Sequence, residues 1–215
     1  MKNIVPVFLI FHALCMHGQQ REGQRFAFGY SVGLEMQSLN VGLFSERPNG
    51  PYISSDQPGF GAGAGIWGQW QILPVLHIRP AVQFHYTQNT VRFWADNGEV
   101  ERRKYPFAEV EIPLHFLLTG ALQRLPVQGL ILFGGRISAN MAAGRQNVLM
   151  KLLPERLGLD IGIGASFRQG GWTIQPELIY SYGMNNVHDF TNSPYDWSVG
   201  RIFRDRLSLR VSFSR

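Results

Sequence analysis

The chain has 215 residues, a net charge of +5, 16% charged and 45% hydrophobic residues, and a single cysteine. That length is one domain by the usual prior, and so small a positive surplus, scattered along the chain, does not point to nucleic acid. Past the N-terminus, no apolar run reaches the ~20 residues of a membrane-spanning helix.

The N-terminal stretch "MKNIVPVFLIFHALCMHGQQ" has Lys2, an apolar run from Ile4 to Leu14, and small or polar residues at Gly18 and Gln19. It reads as a secretory signal peptide over residues 1–18, with residues 19–215 as the exported domain. Its removal takes away Cys15, so neither disulfides nor thiolate metal sites are expected in the mature chain.

From there on the period is two, which puts alternate side chains on opposite faces of a strand. In "RFAFGYSVGLEM", Phe26, Phe28, Tyr30, Val32, Leu34 and Met36 oppose Ala27, Gly29, Ser31, Gly33 and Glu35. In "GFGAGAGIWGQWQI", Phe60, Ala62, Ala64, Ile66, Trp70 and Ile72 oppose the row Gly59, Gly61, Gly63 and Gly65, followed by Trp67, Gln69 and Gln71. The same division returns from Leu76 to Tyr86, where His77, Arg79, Gln83 and His85 share the polar face, and in "FAEVEIPLHFLL", where Glu109, Glu111 and His115 share it. "LILFGGRISANM" places Arg136, Ser138 and Asn140 opposite Ile131, Phe133 and Ile137. "LGLDIGIGASFR" places Asp160 and Arg168 opposite Leu157, Leu159, Ile161 and Ile163. "WTIQPELIYSY" carries Glu177 opposite Leu178 and Tyr180, and "RLSLRVSFSR" carries Arg206 and Arg210 opposite Leu207, Leu209, Val211 and Phe213.

Eight such strands of about ten residues match the length a tilted strand needs to cross a bilayer, and an even number closes an antiparallel barrel without edges. The expected links alternate long and short: long at 37–58, 88–106, 142–156 and 183–202, short at 73–75 and 169–171, intermediate at 119–129. A soluble sandwich or lipocalin-like barrel would turn its apolar face inward and carry a charged, solvated outer face. Here the second face is mostly glycine, alanine and serine with a few charges, which suits a crowded interior, and Trp70, Tyr86, Trp172 and Tyr182 sit at strand ends as interfacial aromatics do. The expected fold is therefore all-β: an eight-stranded, antiparallel, up-and-down transmembrane barrel in the cell outer membrane, its interior filled by polar side chains.

An eight-stranded barrel is just wide enough to be filled by side chains, and unpaired charges inside it cost several kcal/mol. The interior acids Glu35, Glu109, Glu111, Asp160 and Glu177 are accordingly expected to pair with Arg79, Arg136, Arg168, Arg206 and Arg210, closing the lumen. The glycine row is expected to leave room for long side chains reaching from the opposite wall, Arg136 and Asn140 among them. Catalytic, cofactor and metal sites are not expected. Glu109, Glu111 and His115, or His77 with His85, could ligate a metal or exchange protons, but residues two apart on a strand face are roughly 7 Å apart and nothing fixes a coordination geometry. His188, Asp189 and Ser193 in the last long link are the only material for a lipid-active enzyme, and nothing orders them.

"VEIPLHFLL", "LILFGGRISANMA" and "PELIYSYGMNNV" resemble the PorT-like outer-membrane β-barrel proteins of Bacteroidetes-type bacteria. "EIPL", Glu111 to Leu114, followed by Gly134, Gly135 and Arg136, resembles the broad family pattern; "SYGMNN", Ser181 to Asn186, and the ending from Arg206 resemble the narrower PorT branch. A lysine common in the family near the end of the "IPL" strand is absent, the run here being His115, Phe116, Leu117, Leu118, Thr119. The resemblance implies an accessory component of type IX protein secretion, linked in gliding species to adhesin export. It implies no catalytic residues and no small-molecule substrate; the partners would be outer-membrane lipid and other envelope or secretion-system proteins. The other readings are a structural or adhesive barrel with ligand-binding loops and a lipid-active enzyme. The final amphipathic strand with near-terminal Phe213 also resembles the ending that outer-membrane assembly machinery reads.

Overall fold

The computed structural model describes residues 26–43, 52–95, 98–120, 127–142, 151–189 and 199–215. The expected signal peptide lies outside them. Ten strands follow one another: β1 (Phe26–Leu43), β2 (Tyr52–Leu73), β3 (Leu76–Ala95), β4 (Gly98–Thr119), β5 (Val127–Asn140), β6 (Lys151–Leu152), β7 (Glu155–Gln169), β8 (Trp172–Gly183), β9 (His188–Asp189) and β10 (Val199–Ser214). Eight of them close an antiparallel barrel in the order β1-β10-β8-β7-β5-β4-β3-β2, and β6 and β9 form a separate two-stranded ribbon. Closure follows from β1 pairing on both sides, with β2 through Gly33↔Gly63 and with β10 through Gly33↔Arg210.

The apolar half of every strand points out. Leu34, Ile112, Ile137, Leu157, Ile161, Ile163 and Leu209 are each more than half exposed; Trp70, Trp172, Tyr180 and Tyr182 are exposed near strand ends, and Tyr86, expected at one, is exposed midway along β3. So large an apolar surface on a closed sheet, with aromatics at its margins, has lipid as its solvent. Three chain reversals lie at the end where β1 begins and β10 finishes: Leu73 to Leu76, Thr119 to Val127, and the turn through Gly170 and Gly171. Those two glycines have φ of 58° and 81°, the left-handed region a two-residue hairpin needs. Short turns mark the periplasmic side of such barrels.

The opposite end differs from the expected long loops. β3 runs to Ala95 and β4 starts at Gly98, so the supposed 88–106 link is a continuous hairpin, and β1 and β2 likewise extend into the supposed 37–58 link. Pairing between β1 and β2 stops at Gln37↔Gly59 and between β4 and β5 at Glu109↔Asn140, while β2, β3 and β4 continue together to Tyr52↔Trp94 and Ala95↔Gly98. A three-stranded blade therefore rises past the barrel wall by roughly 25 Å of strand beyond Thr87. The lipid-facing pattern ends where the lipid does: the blade's inward Val91, Phe93, Tyr105 and Phe107 pack with Leu39, Leu152, Val187, Val199 and Ile202 in a buried apolar core that covers the lumen. At the end with the short turns the interior is plugged by Trp67 between Ala27 and Ala81, and Leu130, Leu132 and Ile179 form a further apolar cluster that reaches up past Glu177.

Candidate functional site

Between these two apolar plugs the lumen is ionic. Alternation points one residue in two of each strand inward, and the stagger of the closed sheet decides which of them share a level. Nearest the termini, Arg79 of β3 donates to Glu177 of the diametrically opposite β8 at 2.5 Å and to Gln175 at 3.2 Å. Arg210 of β10 donates to the other oxygen of Glu177 at 2.8 and 2.6 Å. Arg79 also lies 5.4 Å from the centre of the Trp67 ring, which ties these ion pairs to the apolar cluster beside them.

At mid-height, Arg206 of β10 holds Glu111 of β4 in a two-pronged grip at 3.0 and 2.5 Å. Arg136 donates to Asp160 of the neighbouring β7 and stands 3.7 Å from Glu111. The other oxygen of Asp160 faces His115 at 2.9 Å. His85 presents one ring nitrogen to Glu35 and the other to Glu111, the latter at 3.2 Å. Nearest the blade, Arg204 donates to Glu109 at 2.7 Å and to Gln37 at 2.7 Å, with its guanidinium 3.9 Å from the Phe107 ring centre; Arg156 stands 3.7 Å from Glu109. A cavity of about 20 Å³ bounded by Glu35, His85, His115, Asp160, Arg206 and Arg210 is room for about one water. The lumen is a packed polar core, not a passage.

Of the expected network, Glu35, Arg79, Glu109, Glu111, Arg136, Asp160, Glu177, Arg206 and Arg210 are buried in the lumen. Arg168 is not. It has the inward parity, but it pairs with Thr173 one step from the Gly170 turn and is exposed at the rim. Its place is taken by Arg156, which falls in the expected 142–156 link, by Arg204, which falls between the expected 183–202 link and the strand from Arg206, and by His85 and His115. The signal for both arginines was available, since extending the parity of β7 and β10 by one step inward reaches them.

The glycine row has a different explanation from the one expected. A Cβ on Gly63 would lie 2.4 Å from Nδ1 of His85 and 2.8 Å from Oε1 of Glu35. One on Gly61 would meet the Tyr86 carbonyl at 2.0 Å and Thr87 at 2.5 Å; Gly59 and Gly65 would likewise strike β3 at Asn89 and Gln83. Side chains of β1 and β3, the strands on either side of β2, meet over its bare face. Besides Glu35 with His85, Gln37 donates to Asn89 at 2.8 Å, accepts from Thr87 at 3.2 Å, and offers its carbonyl to Asn89 at 2.9 Å. The opposite wall does not fill this space: Arg136 turns to Asp160 and lies against Gly158, where a Cβ would be 2.6 Å from its Nη2.

The outward-facing Asp205 is a further polar knot. Its carboxylate accepts from Asn40 at 2.6 Å, from the Tyr180 hydroxyl at 3.0 Å and from the Gly183 N–H at 3.1 Å, joining β1, β8 and β10 just past the last β8–β10 pair, Arg206↔Ser181. The asparagines of "SYGMNN" act similarly. Asn185 accepts from the Leu157 N–H and donates to the Glu155 carbonyl, and Asn186 accepts from the N–H groups of His188 and Ile202. They hold the ribbon of β6 and β9 over the lumen. His188 and Asp189 belong to that ribbon, and Ser193 lies outside the described residues. His77 faces Thr119 at 3.4 Å. Among the described residues, His, Cys, Asp and Glu do not assemble into a metal-ligand group.

No protein-family model matches the chain, and no curated protein matches it. Among solved structures it is similar to Neisserial surface protein A, with a TM-score of 0.51 and 12% identity over 89% of this chain and 98% of that one. The outer membrane protein OprG from Pseudomonas aeruginosa aligns with a TM-score of 0.47 and 10% identity over 87% of this chain and 92% of that one. The outer membrane enzyme PagL aligns with a TM-score of 0.42 and 13% identity over 85% and 97%. Likeness at such identity concerns the fold alone. With the lipid-facing belt and the closed ring of strands, the chain is an eight-stranded β-barrel of the cell outer membrane.

Proposed function

We propose that this barrel is an accessory component of the type IX protein secretion system, of the PorT branch, acting through contacts with other envelope proteins during export of C-terminally tagged cargo. The observation that carries a contact role is the filled lumen. A barrel whose interior is occupied by six arginines and five carboxylates offers cargo no conduit, so its working surfaces are the blade and the ribbon-capped end beyond the membrane. The blade suits such a role physically, because among the described residues the outer edges of β2 beyond Gly59 and of β4 before Glu109 have no strand partner, and such an edge is one that a partner strand can join. The secretion process itself is supported by the sequence resemblance at "EIPL" and "SYGMNN".

The test is deletion of the gene followed by measurement of tagged cargo in the medium, with a parallel pull-down of the intact protein from outer membranes. Retention of cargo in the cell envelope and capture of secretion-system subunits are expected. Normal secretion with lost surface attachment would instead make it an adhesive barrel. Replacing residues 94–99 at the tip of the blade should weaken partner capture while the barrel still folds.

A further inference from the structure

The seam between β5 and β7 gathers buried hydrogen-bond donors that have no acceptor among the described residues. Arg136, Ser138 and Asn140 occupy successive inward positions of β5, and Arg156 of β7 stands opposite Ser138. All four are buried. Among the described residues, Nε, Nη1 and Nη2 of Arg156, Nε and Nη2 of Arg136, Nδ2 of Asn140 and the Ser138 hydroxyl find no hydrogen-bond partner. Each buried unsatisfied donor costs about 1–3 kcal/mol, and more when charged. A guanidinium cannot escape that cost by releasing its proton.

The charge count points to the same place. Among the described residues six lumenal arginines face five carboxylates, and at this level Arg204 and Arg156 share Glu109. Arg204 holds Glu109 at 2.7 Å, whereas Arg156 stays 3.7 Å away, so Arg156 is the less closely compensated of the two. Gly158, the next inward residue of β7, leaves space for the Arg136 head to lie beside it, which brings a second set of unused donors toward the same seam. Donors of this number around one loosely compensated cation make a receptor for a small anion.

We propose that the β5–β7 seam binds one small monovalent inorganic anion, of chloride or bromide size, through Arg156 with donors from Ser138 and Asn140. This is independent of any role in secretion. The bound ion would neutralise the lumen and fasten the start of β7, beneath the apolar cap, to the barrel wall.

The experiment is thermal unfolding of the detergent-folded protein at constant ionic strength, with sodium gluconate replaced stepwise by sodium chloride or bromide. A saturable rise in Tm of about 3–8 °C is expected, because a ligand bound only by the folded state stabilises it by mass action. Arg156→Met should abolish the rise. Should that variant fail to fold, Ser138→Ala keeps the charge, and it should raise the half-saturating chloride concentration about fivefold for the loss of one donor. Equal Tm in gluconate and chloride, or an unchanged chloride response in either variant, would overturn the proposal; water or a turned Glu109 would then satisfy Arg156. Crystals grown in bromide provide a direct reading: an anomalous peak at Arg156 is expected, and its absence there counts against the site.

Discussion

Arg206 and Glu111 face each other from diametrically opposite strands, β10 and β4, and close two hydrogen bonds of 3.0 and 2.5 Å across the lumen. Both are almost fully buried, so the pair acts as a strut whose two ends have no water to fall back on. Glu35, His85 and Arg136 lean on the same carboxylate or guanidinium, which makes this strut the centre of the mid-height network.

Breaking that strut on one side should therefore be expensive. Removing one partner of a buried pair costs ~3–5 kcal/mol, so Arg206→Met or Glu111→Gln should each lower Tm by roughly 6–20 °C. The double variant Arg206→Met with Glu111→Leu should regain part of the loss, because it leaves neither charge stranded. Heat-modified gel mobility of the folded barrel reads all three.

Gly63→Leu should be worse than its position on a strand suggests. The new side chain would enter the space where Glu35 and His85 meet, separating β1 from β3 and leaving two buried titratable groups apart. Little folded protein is expected after dilution from urea into detergent. Ala64→Leu, one residue on and facing lipid, is the control and should fold normally.

Reconstituted in a planar bilayer, the protein should show no conductance above the leak of lipid alone, since the mid-lumen cavity holds about one water. Arg136→Ala should reduce heat resistance without creating a channel, because apolar plugs remain at both ends. Discrete openings in the unmodified protein would refute the closed lumen.

On the outer face, Ile161→Arg should cost about 2–4 kcal/mol, the price of a cation near the bilayer midplane, whereas Arg at Met184 beyond the membrane should cost little. Urea unfolding in lipid vesicles separates the two. Equal effects in both variants would mean that the apolar face does not meet lipid.

The legible part of the fold was whatever a period of two can carry. Leu157, Leu159, Ile161 and Ile163 against Asp160, Gly162 and Gly164 states which face is apolar without reference to any other strand, and the clear faces between Phe26 and Phe213 reveal eight staves. Legibility failed where lipid stops. Past Thr87 the inward residues turn apolar as Val91 and Phe93, and the outward ones turn polar as Thr90 and Arg92, so the blade looked like a loop. Arg156 and Arg204 were lost in the same way, and Arg168 was misplaced because parity says which way a side chain points but not how near the rim it lies.

The sequence by itself determined the β-barrel character, the lipid-facing side of each strand and most of the charges turned inward, because side-chain direction along a strand is a local property of the backbone. Only the tertiary structure decided that Arg206 meets Glu111, that Arg79 meets Glu177, and that β1 and β3 clasp over Gly63. Those meetings depend on the stagger with which the sheet closes, a property of all eight strands together, and the bare row from Gly59 to Gly65 takes its meaning from the two strands that flank it.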